Sequence, residues 1–291
     1  MTSVAFVTKS YGPDRERCEL LARSIRLLAP GTRHWIIVDA RDRGAFRSLE
    51  DGPVRIVTTE ELLPQRVRRL GARWIGLDKN VWVGLGVRPM RGWLVQQLAK
   101  LAIGLVADED ILIHADSDVA LVRPFANGTA PAPDRLPLLR LAAAVGDGLP
   151  DHVRWHRTAE RLLGLPARPL PLPDYIGGLV PWRRETVAAL LDAIETRSAR
   201  HWMRTLAHAR HVSEYILYGR FVEDVLGDEP GDGRSLCHCY WGTEPLTRAE
   251  LDRFVDETGD DEIGVMISAK AGMNPADYAD VLERRWAAHR W

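Results

Sequence analysis

Apolar residues fall in short runs along the first third of the chain, and these runs alternate with stretches of helical period. "VAFVT" (4–8) reads as a strand, and after "GPD" the residues Cys18, Leu21, Ala22, Ile25 and Leu28 share one face of a helix over 14–28. "HWIIVDA" (34–40) and "VRIVT" (54–58) read as further strands, with a short helix over 60–70. A longer helix, "GWLVQQLAKLAIGLVA" (92–107), runs directly into the strand "ILIHAD". Apolar strands separated by helices predict an α/β protein whose mostly parallel sheet is covered on both faces.

The second half is less regular. "RLPLLRLAAAVG" holds a strand, and the proline-rich "PARPLPLPDY" (166–175) is a loop, because each proline lacks a backbone donor and disfavours helix in the residue before it. "YIGGLVPW" reads as a strand interrupted by Gly177 and Gly178. Helices are expected near 183–197, 199–209 and 212–226, strands at 235–241 and 265–269, and a closing helix near 275–288. With no internal repeat, low-complexity tract or clear linker, residues 1–291 read as one domain.

Composition narrows the function classes. The 291 residues are 46% apolar, enough for a sizeable core. The net charge is -1 with both signs mixed along the chain, which argues against a nucleic-acid or anionic-lipid binder. No apolar run reaches the roughly 18 residues that span a bilayer, and the start lacks the features of a secretory signal, so a cytoplasmic protein is expected. Cys18, Cys237 and Cys239 cannot build a disulfide framework. In "CHC", His238 and its flanking cysteines point to opposite faces of a strand, which argues against a zinc site from these three alone. Only four of the 39 basic residues are lysines, Lys9, Lys79, Lys100 and Lys270, so each stands out.

Polar residues tip three of the expected strands: Thr8 with Lys9, Asp39, and Asp116. In open α/β sheets ligands collect at these carboxyl ends. Asp116 and Asp118, one residue apart on an extended segment, direct their side chains to the same side. Two hard oxygen ligands so placed suit Mg²⁺ or Mn²⁺, which share their coordination with substrate phosphates.

"ILIHADSDVALVRPF" resembles the Asp-x-Asp region of GT-A-fold glycosyltransferases, and the preceding "GWLVQQLAKL" resembles the helix before that motif in a little-characterised bacterial branch of the superfamily. The resemblance implies a GT-A (Rossmann-like) mostly parallel sheet flanked by helices, with residues 1–125 as the nucleotide-sugar-binding half and 126–291 as the acceptor-binding half with a C-terminal closing segment. It implies transfer of a sugar from a nucleotide-diphosphate donor, UDP-linked, to a hydroxyl of a polysaccharide or small natural product. Asp118 would ligate Mn²⁺ or Mg²⁺, and Asp116 would contact the donor ribose or the metal through water.

The same resemblance implies roles for other residues. Thr8, Lys9 and Asp39 match donor-side positions, although a polar strand end or a helix cap accounts equally well for Thr8 and Asp39. Gln96 and Lys100, four apart on one helix face, are donor-binding candidates, with an exposed surface lysine as the alternative. His238 is the candidate third metal ligand and His211 the weaker one. Lys270 and Gly272 match a segment that closes over the diphosphate. On the acceptor side stand Asp174, Gly177 and Gly178, and Glu214 corresponds to the general base of inverting members, with a capping-box carboxylate as its alternative. Two other functions stay open: a Mg²⁺-dependent phosphatase of the haloacid-dehalogenase type, whose motif belongs on the first strand rather than at 116, and a non-catalytic nucleotide or carbohydrate binder.

Overall fold

The computed structural model describes residues 2–70, 80–125, 138–228 and 234–288. In chain order the first half comprises β1 (Val4–Lys9), α1 (Arg15–Leu28), β2 (Arg33–Val38), α2 (Arg43–Phe46), β3 (Val54–Thr58), α3 (Thr59–Leu62), β4 (Arg68–Arg69), β5 (Val81–Gly84), β6 (Val87–Arg91), α4 (Gly92–Ala102), β7 (Ile111–Ala115) and β8 (Val119–Leu121). The second half comprises β9 (Leu141–Val145), α5 (Pro150–Leu163), β10 (Leu172–Asp174), β11 (Leu179–Arg183), α6 (Arg184–Ser198), α7 (Trp202–Ala209), α8 (Glu214–Phe221), β12 (Cys237–Tyr240), α9 (Arg248–Asp256), β13 (Gly264–Ile267) and α10 (Pro275–Ala287). A single π-helical turn, Val222–Leu226, extends α8.

The central sheet has the order β11-β7-β1-β2-β3, parallel except for β11, which pairs antiparallel with β7. This is the mostly parallel α/β sheet that the sequence implies. Its inner strands β7 and β1 are buried on both faces: β7 at all five positions, and β1 at every position but Lys9. One core, on the face of α4, α6, α7 and α8, gathers Leu98, Leu112, Trp182, Ile216 and Met203. A second gathers Phe6, Leu21, Ile113, Leu121, Met266 and Trp286 beneath α1 and α10, and a smaller third gathers Cys18, Ile36, Phe46 and Ile56. At the second, β8 pairs antiparallel with β13, which pairs parallel with β12, in a small second sheet.

Boundaries depart from the sequence expectation where local chemistry intervenes. The helix expected over 60–70 stops at Leu62, because Leu63 precedes Pro64 and is extended (φ -88°, ψ 124°). Its start is a capping box, the Thr58 side chain accepting from Glu61 N–H while the Glu61 carboxylate accepts from Thr58 N–H at 2.7 Å. The helix expected over 92–107 is α-helical only to Ala102 and ends in a 3₁₀ turn over Ile103–Leu105. The strand expected across "YIGGLVPW" begins only after the glycine pair, at Leu179. The proline-rich loop contains the short β10, paired with β9.

Candidate functional site

The chain runs outward from β1 to β2 and β3 on one side, then returns to place β7 on the other side of β1. The carboxyl ends of β1 and β7 therefore flank the point where strand order reverses, the usual ligand crevice of such sheets. Asp116 directly follows β7, and Ser10 directly follows β1. The Ser117 hydroxyl donates to Ser10 Oγ at 2.9 Å, tying the two strand ends together. Because β11 runs antiparallel to β7 with Leu179 opposite Ala115, Gly177 and Gly178 enter at the same edge.

Asp116 faces α4. Lys100 Nζ lies 2.8 Å from its Oδ1, and the same ammonium lies 3.2 Å from Glu214 Oε1 and donates to Tyr215 Oη at 3.1 Å. The Lys100 side chain is 3% exposed, that of Glu214 1%, and that of Asp116 34%, so the node is closed at one end and open at the other. Burial opposes the charge on Lys100, yet Asp116, Tyr215 and Glu214 outweigh it and hold the ammonium well above its usual pKa. Glu214 is pushed upward, by burial first, with Lys100 acting against the shift. The Gln97 amide also faces the Glu214 carboxylate and, nitrogen inward, donates to both its oxygens. His114, buried between Trp182 and Tyr215, is held well below its usual pKa by burial and by Lys100, hence neutral.

The extended segment expected across the pair is a turn instead, Val119 N–H donating to the Asp116 carbonyl at 3.1 Å, so the two side chains do not share one side: Asp118 faces the turn after β13, where Ala269 N–H donates to its Oδ2 at 2.8 Å. Burial and the neighbouring Asp116 raise its pKa to about 6. Asp14, in the loop after β1, feels the same negative field: burial raises its pKa, and Asp116 adds to the rise against its partner Arg17. Two carboxylates close enough to repel are a donor set that a hard dication sharing phosphate oxygens can use. Among the described residues no group of three His, Cys, Asp or Glu side chains forms a fuller metal cage.

The other candidates divide into those the fold brings to this edge and those it does not. Lys9 Nζ lies 3.0 Å from Asp39 Oδ1, and Arg69 Nη1 lies 3.3 Å from Asp39 Oδ2, so Lys9 and Asp39 form one ionic group at the ends of β1 and β2. Thr59 Oγ1 also donates to Asp39 at 3.2 Å. Burial lowers the pKa of Lys9 despite Asp39. Thr8 points instead into the sheet interior, its Oγ1 2.9 Å from His34 Nε2, where burial holds that imidazole down to about 3. Lys270 is exposed and lies one residue beyond Ala269, and Gly272, with φ +73°, caps the same 3₁₀ turn.

His238 is not brought to the aspartate pair. Alternation along β12 puts Cys237 and Cys239 on the side that feels Asp118, whereas the His238 ring stacks on Phe254 (4.5 Å between centroids) with Nδ1 3.6 Å from Glu262. His211 is exposed before α8. Gly177 and Gly178 have packing reasons of their own: a Cβ would lie 2.5 Å from Leu139 Cδ2 at the first and 2.7 Å from Cys237 Sγ at the second. The Asp174 carboxylate accepts from Tyr175 N–H at 2.8 Å and lies 2.9 Å from His152 Nδ1.

Several site residues escape sequence reasoning. Gln97 rather than Gln96 meets Glu214, although its spacing of three from Lys100 permits the contact as well as a spacing of four does. Tyr175 Oη donates to Glu223 at 2.6 Å, and Arg140 and Arg168 each approach that carboxylate to 2.8 Å. Against the effect of burial, these three partners bring Glu223 down to about 2 and anchor the segment after Asp174 to the π-turn behind α8. Nothing in the local sequence marks that network.

The structure is similar to the galactosyltransferase LgtC in complex with donor and acceptor sugar analogues, at 14% identity, with 98% of this chain and 95% of that chain covered and a TM-score of 0.46. It is similar to the bifunctional glycosyltransferase WbbM at 12% identity over 98% of this chain and 50% of that one (TM-score 0.47), and to mouse xyloside xylosyltransferase 1 at 9% over 94% and 100% (TM-score 0.46). A comparison with curated protein sequences finds no match. The family model described as "Family of unknown function (DUF6492)" matches residues 3–258, and the chain belongs to that family.

Proposed function

We propose that the chain is a metal-dependent glycosyltransferase of GT-A type, moving a sugar from a nucleotide-diphosphate donor, UDP-linked, to a hydroxyl of a polysaccharide or small natural product. In this reading residues 1–125 form the donor half and 126–291 the acceptor half. The observation that carries it is the Asp116–Asp118 pair at the β1/β7 switch point, one carboxylate turned to a buried ammonium and the other to a backbone N–H.

Mn²⁺ or Mg²⁺ would be held by Asp118 with Asp116 beside it, and would supply positive charge to the donor diphosphate. The chain's own residues do the rest. Lys100 fixes the position of the Asp116 carboxylate. Glu214, itself held by the Gln97 amide, fixes Lys100, and with its carboxylate sealed from solvent it serves as a positioning group rather than as the general base the resemblance implies. Lys9, Asp39 and the exposed ring of Tyr11 border the nucleoside side of the crevice, and the Lys270 ammonium can swing from its exposed turn towards the diphosphate. The segment from Asp174 to Gly178 borders the acceptor side.

Calorimetry with UDP, GDP, ADP and CMP, each with and without Mn²⁺, tests the reading together with turnover of a labelled nucleotide sugar. One nucleoside diphosphate binding only with metal, followed by transfer or slow hydrolysis of its sugar, is the expected result. Metal-dependent binding without turnover would leave a binder, and cleavage of a simple phosphate ester would point to a phosphatase.

A further inference from the structure

Trp93 is 42% exposed, although it lies at the start of a helix whose other apolar residues are almost all buried. Its ring stacks on Trp155 of α5 with centroids 5.4 Å apart and planes 19° apart. Trp155 packs against the main core and touches the His152 ring at 4.7 Å, and His152 Nδ1 reaches Asp174 Oδ2 at 2.9 Å. A large aromatic ring stacked on one neighbour and 42% exposed is an apolar surface open to a ligand.

Its position follows from the topology. α4 leads back to the amino end of β7, so its own start overhangs the carboxyl end of the sheet. Trp93 lies seven residues before Lys100, on the same side of the helix and about 10 Å further out along the axis. Lys100 contacts Asp116, and the Asp174 segment leads through Gly177 and Gly178 to the strand beside β7. The stack therefore lies at the mouth of the crevice, on the side of the Asp174 segment.

We infer that Trp93 and Trp155, with His152 and Asp174, form the acceptor subsite, and that the acceptor is a saccharide whose ring lies on Trp93; the acceptor role rests on the glycosyltransferase reading. A pyranose offers what the site can take: a face of C–H groups that packs on an aromatic ring, and a rim of hydroxyls for the partly exposed His152 imidazole, which the buried Asp174 carboxylate orients through Nδ1. A flat aromatic acceptor needs no such carboxylate, and a phosphorylated one would meet Asp174 as a like charge.

The test uses the full chain and a panel of methyl glycosides and disaccharides, including lactose and cellobiose, with saturation-transfer NMR to detect binding and titration to measure it. At least one saccharide is expected to bind wild type. Trp93→Ala should weaken it by roughly tenfold, and Trp93→Phe should recover most of the loss. UDP binding with Mn²⁺ should be the same in all three proteins. Absence of saccharide binding at tens of millimolar, equal binding by Trp93→Ala, or loss of UDP binding in Trp93→Ala would each overturn the inference. If no nucleotide binds wild type but the saccharide binds in a Trp93-dependent way, the platform stands and the transferase reading fails.

Discussion

Lys100 Nζ and Asp116 Oδ1 are 2.8 Å apart, the lysine fully buried and the aspartate open to the crevice. The pair is a lever as well as a bond. Desolvating an ammonium costs several kcal/mol, a cost offset here only because two carboxylates and a phenol oxygen surround it. The same contacts fix where the exposed end of the lever points.

Removing the ammonium should show this. Lys100→Met, close in volume, leaves Glu214 buried without its cation and should lower unfolding stability by about 3 kcal/mol or more, read from urea midpoints. Adding Glu214→Gln should recover a good part, since only the partly exposed Asp116 then lacks a partner. Equal stability of Lys100→Met and wild type would mean that the node contributes nothing to the fold.

The glycine at the crevice edge is a second test. Gly178→Ala would put a methyl group 2.7 Å from Cys237 Sγ and 3.2 Å from both Cys239 Sγ and Met266 Cβ, and should cost about 1–3 kcal/mol. Cys237→Ala in that background should cost less than it does in wild type, because it removes the clashing atom. Additive costs in the four-member cycle would contradict the packing account.

Much of this arrangement was readable from the chain, for identifiable reasons. The central strands are short apolar runs between helical periods, so β1, β2, β3 and β7 stand where the pattern puts them. Asp116 and Asp118 are legible because they close such a run. α5 was not, because the residues it buries are His156, Thr158, Ala159 and Glu160, which give no apolar stripe to find. The β5–β6 hairpin is not legible in the sequence because its strands are four and five residues long and the second contains Pro89. Partners distant in sequence were also illegible: Lys100 with Glu214, Tyr175 with Glu223, and Arg140 with Glu223 depend on helices meeting in space.

Acid should destabilise the protein well above the carboxylate range. Burial holds His34 at about 3 and, chiefly through burial, His156 at about 4, whereas both take up a proton near 6.5 once unfolded. Below pH 6.5 the unfolded state therefore binds protons that the folded state refuses, and stability falls as pH drops towards 4. Each imidazole contributes up to about 1.4 kcal/mol per pH unit, and His114 acts in the same sense, whereas Asp118, raised to about 6 in the fold, and the likewise raised Glu214 and Asp14 take up protons in the folded state and offset part of the fall. Urea midpoints at pH 7, 6 and 5 for wild type and Asp118→Asn check this: the fall should be steeper in the variant, which lacks one offsetting carboxylate, and equal profiles would contradict it.

The most direct test of the central claim is calorimetric titration of UDP with Mn²⁺ into wild type and Asp118→Asn. The amide can still accept from Ala269 N–H, and the substitution relieves the repulsion from Asp116, so the thermal midpoint should be unchanged or slightly raised. The account predicts metal-dependent UDP binding by wild type and none by the folded variant. Equal binding by both proteins would contradict the role given to Asp118, and absence of metal-dependent nucleotide binding by wild type would contradict the function itself.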